Sequence, residues 1–239
     1  SRYGYEFAEC YLIATFPSKG YQIDDYPAVK NHLLSFGKDL LIENGYAWVA
    51  ENYLEEWCLK RLEQTGSDIV INGKKVSFKK NEKARKASTN QWFETQDSIS
   101  YWDDFNRQKI VWGEISDEPK FSIDLEGKYV NEATTFLMVG ESLLLLVGYL
   151  NSSLSKYLFS KIGTTTGVGT VRWKKYTIEQ LLVPRLDEDE IKKYESNVLD
   201  LIHCINRGED CRPQIITLDR MIYDVIGFTE EEIQFIDSQ

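Results

Sequence analysis

Residues 142–186 read SLLLLVGYLNSSLSKYLFSKIGTTTGVGTVRWKKYTIEQLLVPRL and contain the most informative pattern of the chain. The segment begins with an apolar run of helix length, which Asn151-Ser-Ser interrupts as a helix break and cap. A glycine- and threonine-rich loop follows at 163–170, and Arg172, Trp173 and two lysines come directly after it. A buried element that leads into a hydroxyl-rich loop and a cationic segment suits the binding of a polyanion. The alternative interpretation is a core helix followed by an ordinary surface loop.

The composition indicates a soluble globular protein. The chain has 239 residues, of which 42% are hydrophobic and 28% charged, and it is long enough to bury a sizeable core. Its longest unbroken apolar run, at 143–147, is far shorter than the ~18 residues that a membrane-spanning helix needs. We therefore expect no membrane partner and a cytoplasmic location. The first residues have no signal-peptide form, and we interpret the chain as part of a longer protein.

The cysteines and histidines do not form a pattern typical of a metal site. The four cysteines (Cys10, Cys58, Cys204 and Cys211) include no Cys-x-x-Cys pair, and the chain has two histidines. A zinc site and a histidine-based catalytic triad are therefore not expected. Free thiols are the prediction for a chain in a reducing compartment.

Other catalytic patterns are equally weak. Asp104, Glu118 and Lys120 resemble the acidic and lysine set of metal-dependent nucleases, but Pro119 interrupts the strand that such a site would use. The chain has no phosphate-binding loop of the nucleotide-hydrolase type, and the glycines at 163–169 do not follow a strand in a βαβ unit. We therefore predict no catalytic residue, no metal and no cofactor within this chain.

The net charge of −10 is unevenly distributed along the chain. Residues 187–239 hold 14 acidic and 5 basic residues. Residues 74–86, in contrast, hold 7 basic residues against one acid, and residues 156–185 hold 6 against one. Clusters of Lys and Arg on one surface are what phosphate backbones require. The sequence thus predicts two basic patches and an acidic tail that faces away from a polyanion. The alternative for each patch is an ordinary solvent-exposed surface without a binding role.

Hydrophobic patterning predicts an α/β (α+β) fold: a mixed, largely antiparallel sheet with packed helices and a C-terminal helical segment. Strands are expected at 9–16, 108–115 and 134–139, and in two hairpins whose arms are 68–71 with 74–78 and 121–124 with 129–131. Helices are expected from Pro27 to about residue 43, over 46–64 and around 218–225, and after Asp187 and Thr229, which both begin capping boxes.

Several short motifs fall in an order that resembles one protein family. They are Asn90-Gln-Trp-Phe-Glu-Thr-Gln96, Tyr101-Trp-x-x-Phe105, Lys109-Ile-Val-Trp112, Leu150-Asn-Ser-Ser-Leu154, Arg172-Trp173 and Leu182-Val-Pro184. Together they resemble the C-terminal target-recognition domain of TaqI-like and Eco57I-like DNA adenine methyltransferases. Such domains also form the specificity part of single-chain (type IIG) restriction–modification enzymes.

The resemblance implies a DNA-recognition module whose partners are double-stranded DNA and the methyltransferase domain of its parent protein. In the family, that domain precedes the recognition domain and carries the AdoMet site and an Asn-Pro-Pro-Tyr/Phe motif. This chain contains neither, so AdoMet binding, base flipping and methyl transfer are expected in the separate domain.

The resemblance also implies a domain organisation. It covers nearly all of the chain except roughly residues 45–87, where the first hairpin and the first basic patch look like an insertion. We predict a target-recognition domain at 1–186 that includes this insertion. Residues 187–239 are predicted to form a helical segment that packs on that domain or on the methyltransferase.

The predicted DNA contacts combine this resemblance with side-chain chemistry. Arg172 is the expected base-reading residue, because a guanidinium fits the major-groove edge of guanine. The threonines are expected to bind phosphates or bases, and the lysines and Arg85 to bind phosphates, whereas Trp173 is expected to pack in the core. The full set of predicted contacts is Thr164, Thr165, Thr166, Arg172, Lys174, Lys175, Lys79, Lys80, Arg85 and Lys86.

Two other functions fit the sequence. The first is the specificity domain of a phage-defence methyltransferase, or a separate specificity subunit. The second is a protein-interaction module whose acidic C-terminal helices form the binding surface. A salt titration of duplex binding separates the second from DNA recognition, because only phosphate contacts give a strong salt dependence.

Overall fold

The computed structural model describes residues 2–63, 68–77, 89–132, 134–165 and 170–239. The chain divides into two compact units: a smaller unit, Tyr11–Ser100, and a larger unit that joins Ser1–Cys10 to Tyr101–Gln239. This division differs from the boundaries at 45, 87 and 186 inferred from the sequence, and those boundaries stay a prediction.

In the smaller unit, three helices precede a two-stranded hairpin: α1 (Pro27–Glu43), α2 (Ala47–Asn52), α3 (Leu54–Glu63), β1 (Asp68–Ile71) and β2 (Lys74–Ser77). Proline at the first position of α1 costs no hydrogen bond, since that N–H has no intrahelical partner. Asn72 and Gly73 both have positive φ, 47° and 71°, as the predicted type I′ turn requires. Their hairpin packs its apolar face on the helices around the buried Trp57.

The larger unit begins with four strands: β3 (Lys109–Gly113), β4 (Ile115–Ser116), β5 (Ser122–Asp124) and β6 (Thr135–Met138). Two helices follow, α4 (Leu143–Leu150) and α5 (Ser153–Ile162), and then β7 (Thr164–Thr165), β8 (Val171–Arg172) and the short α6 (Lys175–Ile178). The chain ends with α7 (Glu188–Asn206), α8 (Arg212–Ile226) and α9 (Glu230–Asp237).

The described strands of this unit form two antiparallel sheets. One has the order β5-β3-β6 and the other β4-β8-β7. Helix α4 packs on the first sheet and on α7, and one apolar core joins the sheets to the C-terminal helices. Gly148 of α4 allows this close approach, because a Cβ there would lie 2.7 Å from both the Tyr194 ring and the Val198 side chain. The predicted α/β class is confirmed, but the single sheet is wrong, since β7 and β8 follow residue 139 and complete a separate sheet.

Asn151 acts as the helix break that the sequence predicts. Its side chain is buried and accepts the Phe121 N–H at 3.0 Å, while its amide donates to Phe121 O at 2.9 Å. Ser152 caps α5 by accepting the Ser155 N–H at 3.1 Å. Asn151, between α4 and α5, therefore connects these helices by hydrogen bonds to Phe121, the residue directly before β5.

The sheet of β3, β5 and β6 also contains a buried ion pair. Lys109 Nζ lies 2.5 Å from Asp124 Oδ2 and donates to Phe105 O at 2.8 Å. Asp124 also accepts the backbone N–H groups of Lys128 and Tyr129, at 3.3 and 3.0 Å. Burial alone would raise the pKa of Asp124, but these hydrogen bonds more than offset it and hold the pKa below its usual value.

The C-terminal helices begin as predicted. Asp187 and Thr229 each form a complete capping box, with Glu190 and Glu232 respectively. Cys204 and Cys211 form a disulfide with a Cα–Cα distance of 6.0 Å, which joins the last turn of α7 to the start of α8. The prediction that these two thiols are free is therefore wrong.

Three other local predictions are also wrong. Residues 9–16 form no strand, and Tyr11 in their middle is 87% exposed. Residues 129–131 do not pair with β5, which pairs with β3 instead. The helix expected over 46–64 is two helices, α2 and α3, separated at Tyr53.

Among the helices of the described ranges, none has the length and apolar character that crossing a membrane requires.

Candidate nucleic-acid interface

The sheet of β4, β8 and β7 brings together two of the residues that the sequence singled out, Thr164 and Arg172. Strand β8 is central, so Arg172 lies opposite Thr164 on one side and opposite Ile115 on the other. Thr164 is exposed. A hydroxyl and a guanidinium therefore occupy neighbouring positions across one short strand pair.

Trp173 anchors this sheet to the core, as predicted. It is 3% exposed, and its ring stacks on Phe159 with a centroid distance of 3.9 Å. Its backbone N–H donates to Glu114 O at 2.7 Å, and its carbonyl accepts the Trp112 Nε1–H at 2.8 Å. The backbone on the C-terminal side of Arg172 is thus fixed by buried contacts.

Arg172 forms an ion pair at the surface. Its Nη1 lies 2.8 Å from Glu114 Oε1, and the two side chains are 42% and 35% exposed. A surface pair of this kind contributes only about 0–1 kcal/mol to stability. The guanidinium can therefore exchange Glu114 for another acceptor, such as a base edge or a phosphate, at small cost.

The two lysines after Trp173 lie at the start of α6. Lys174 Nζ is 5.8 Å from the centre of the exposed Tyr176 ring, and the exposed Lys175 has its Nζ 3.7 Å from Glu179 Oε1. Both ammonium groups are available to a polyanion, because exposed pairs and ring contacts are weak.

The remaining predicted contacts fall mostly outside the described residues. Thr165 belongs to β7, although the position of its side chain is not described. Thr166, Lys79, Lys80, Arg85 and Lys86 lie in ranges that the structure does not describe. Their role in DNA binding stays a prediction.

A cavity of about 480 Å³ lies beside this sheet and was not predicted from the sequence. Its lining includes Gly113 of β3 and also Asp117 and Lys120 of the loop between β4 and β5. The hydrogen bond from Lys120 holds the pKa of Asp117 below its usual value, so the carboxylate is charged at neutral pH. The Asp-x-x-Lys spacing was visible in the sequence, but nothing there showed that the loop borders a cavity. The lining residues are Val111, Trp112, Gly113, Ile115, Ser116, Asp117, Lys120, Ser122, Thr135 and Thr170.

Comparison with known families assigns this region. Residues 65–183 match the model of the TaqI-like C-terminal specificity domain. The chain carries a TaqI-like C-terminal specificity domain. Such a domain recognises DNA sequence in restriction–modification enzymes and is not itself catalytic. No curated protein matches the chain.

The matched range of this TaqI-like domain contains all ten predicted contact residues and every residue that lines the cavity. It begins inside the segment that the sequence analysis interpreted as an insertion, and it ends before α7. Helices α7, α8 and α9 therefore lie outside the match.

The nuclease-like residues of the TaqI-like domain do not gather into one site. Asp104 pairs with Arg107 at 3.0 Å, whereas Lys120 pairs with Asp117 at 2.9 Å. Glu118 pairs with Arg2 at 3.2 Å. In the parts of the chain that are described, no group of three or more His, Cys, Asp or Glu side chains is placed to hold a metal ion.

Proposed function

We propose that this chain reads a DNA sequence through the β4-β8-β7 sheet and positions a separate AdoMet-dependent adenine methyltransferase domain on that sequence. One observation carries the proposal: the family match includes the strand pair that sets Thr164 opposite Arg172. The separate domain would lie N-terminal to this one in a type IIG restriction–modification enzyme, would bind AdoMet and would flip the target adenine.

Each predicted residue has a role that follows from its chemistry. Arg172 reads a guanine edge through its two-pronged donor geometry. Thr164 and its neighbours Thr165 and Thr166 donate hydroxyl hydrogen bonds to phosphates or bases. The lysines and Arg85 bind phosphates and so supply sequence-independent affinity and its salt dependence.

The domain organisation belongs to the same proposal. The recognition domain at 1–186 carries the DNA surface, and the acidic helices of 187–239 complete the core on the side away from DNA. Sequencing upstream of this chain in the parent gene tests the fused arrangement. An AdoMet site and an Asn-Pro-Pro-Tyr/Phe motif are expected there, whereas an independent reading frame would favour a separate specificity subunit.

A binding experiment tests DNA recognition directly. The chain is incubated with a randomised duplex library, the enriched sequence is identified, and affinities are measured by fluorescence anisotropy at several salt concentrations. Arg172→Ala is expected to weaken binding to the enriched sequence by roughly 1–3 kcal/mol, because a base-specific bidentate contact is lost.

Arg207→Ala is the matched control. Arg207 is also an exposed arginine paired with a glutamate, Glu209, but it lies at the end of α7 outside the matched residues. Both variants remove one positive charge. If Arg172 reads a base, only Arg172→Ala is expected to lower the affinity for the enriched sequence strongly. Equal effects of the two variants on all duplexes would overturn the base-reading role. Absence of salt-dependent binding would favour the protein-interaction alternative.

A further inference from the structure

The cavity between the two sheets of the larger unit lies beside the strand that carries Arg172. We propose that Asp117 and Lys120, which line this cavity, are specificity-determining residues that reach into the major groove and read one G·C base pair. The proposal rests on the proposed DNA-recognition function and adds a second reading position to it.

The two side chains present one donor and one acceptor in the lining of the cavity. Lys120 Nζ lies 2.9 Å from Asp117 Oδ1, and the side chains are 48% and 68% exposed. Because the pair is solvated, DNA can replace the mutual contact with contacts of its own at little cost. Hydroxyl-bearing residues, among them Thr135 and Thr170, line the interior.

The loop that carries this pair is held by contacts at Glu118, Pro119 and Phe121. Arg2 Nε donates to Pro119 O at 3.0 Å, and Arg2 also pairs with Glu118. Phe121, which follows Lys120, is buried, and its backbone N–H and carbonyl both form hydrogen bonds with the side chain of Asn151. Contact groups on a fixed backbone lose less conformational entropy on binding than groups on a mobile loop. The geometry is therefore suited to reading bases rather than to adaptable phosphate contacts.

The chemistry of the pair matches a G·C base pair. In the major groove guanine presents the acceptors N7 and O6, and cytosine presents the N4 amino donor. Lys120 donates to the guanine acceptors, and Asp117 accepts from the cytosine amino group. Asp117 would repel a phosphate, so the pair as a whole does not fit a backbone contact.

The position of the pair relative to Arg172 sets the spacing of the two reading sites. Ile115 of β4 lies opposite Arg172, and Asp117 follows two residues later. Two residues of extended chain span at most about 7 Å, which is about two base-pair steps along DNA. The G·C pair read by Asp117 and Lys120 is therefore expected within a few base pairs of the position read by Arg172.

Selection from a randomised duplex library tests this assignment, with the full chain and its variants compared by sequencing of the bound fraction. For Lys120→Ala we expect the preference for G·C at one position to fall from roughly 5–150-fold to about twofold or less, with the other positions unchanged. The double variant Asp117→Lys/Lys120→Asp keeps an ion pair in the loop but exchanges donor and acceptor. It is expected to alter the preference at that same position alone.

Lys128→Ala is the matched control, because Lys128 is also an exposed lysine paired with a nearby carboxylate, Glu126, but does not line the cavity. Gly113→Val adds a branched side chain to the lining of the cavity. A Cβ at Gly113 meets no atom within 4 Å and the residue has no positive φ, so this variant is expected to fold. Gly113→Val is expected to lower the preference for G·C at that position, and a thermal melt of each variant verifies folding.

Three outcomes overturn the proposal. The first is an unchanged selected sequence for Lys120→Ala, the second is a uniform loss of affinity for every duplex, and the third is an unaltered preference for Gly113→Val. Each of these leaves the proposed function standing, because the unmodified chain still selects a sequence. If the unmodified chain itself shows no salt-dependent duplex binding, the proposed function fails and this proposal fails with it.

Discussion

Lys109→Met tests whether the buried ion pair holds the sheet of β3, β5 and β6 together. The side chains of Lys109 and Asp124 are 1% and 4% exposed, so neither charge is solvated by water to a useful extent. Methionine keeps the length and apolar stem of lysine but removes the ammonium group. The change therefore leaves a buried carboxylate whose remaining partners are the N–H groups of Lys128 and Tyr129.

Removing one partner of a buried ion pair typically costs about 3–5 kcal/mol. We expect Lys109→Met to lower the free energy of unfolding by about this amount. Adding Asp124→Asn removes the unpaired charge, and the single amide oxygen can still accept from one of the two backbone N–H groups. The double variant should therefore recover about 2 kcal/mol relative to Lys109→Met, because replacing both members of a buried pair is far less costly than removing one.

The same ion pair predicts how the destabilisation caused by Lys109→Met, relative to the unmodified protein, depends on pH. The pKa of Asp124 is lowered in the folded protein, so its stabilising contribution is present above the unfolded value of about 3.9 and is lost as pH falls through the folded pKa. In Lys109→Met, burial without the lysine raises the pKa of Asp124, and protonation then relieves the buried charge. The cost of the substitution should thus shrink as pH falls from 7 toward 4.

Urea unfolding followed by tryptophan fluorescence measures these effects, and a loss of 3–5 kcal/mol moves the midpoint by about 1–2 M. Lys128→Met is the control, since Lys128 and Glu126 form an exposed pair; it should leave the midpoint unchanged. A cost below about 1 kcal/mol for Lys109→Met, or a double variant no more stable than the single one, would refute the burial argument.

Three further predictions concern packing, capping and the DNA surface. Gly148→Ala should destabilise the protein by about 1–3 kcal/mol in the same urea assay, although alanine favours helix formation, because its methyl group overlaps the Tyr194 ring. Asp187→Ala should cost about 1 kcal/mol through loss of the capping box of α7, and Asp187→Asn, which keeps a capping oxygen, should restore most of it. Glu114→Gln should tighten binding to the selected sequence by up to about fivefold in anisotropy titrations, because it removes the carboxylate that competes with the DNA for Arg172.

Local sequence signals predicted the elements whose geometry is decided by neighbouring residues. The Asn72-Gly73 turn and the capping boxes at Asp187 and Thr229 each depend on a few adjacent positions, and each forms as expected. The α/β class followed from the same local patterns. These features are predictable because turn and cap energies act over three or four residues.

The sheet arrangement was not predictable in the same way, because it depends on pairing between distant residues. Strands β4 and β8 have two residues each and no periodic pattern, yet Ile115 pairs with Arg172 across more than fifty residues. The run at 9–16 shows the converse, since β-forming residues there find no partner strand and Tyr11 stays exposed. The cavity depends on the same long-range pairing, so the sequence singled out Arg172 but did not show that Asp117 lines a cavity next to this sheet.

The separation between the anchoring Trp173 and the proposed reading side chains would allow such a domain to change its specificity without losing its fold. Trp173 fixes the backbone of β8 from the buried side, whereas Arg172, Asp117 and Lys120 lie at the surface in pairs that contribute little to folding. Surface substitutions away from buried contacts usually change stability by less than about 0.5 kcal/mol. Exchange of these three side chains should therefore alter which bases are read while the core of Trp112, Phe159 and Trp173 keeps the reading positions in place.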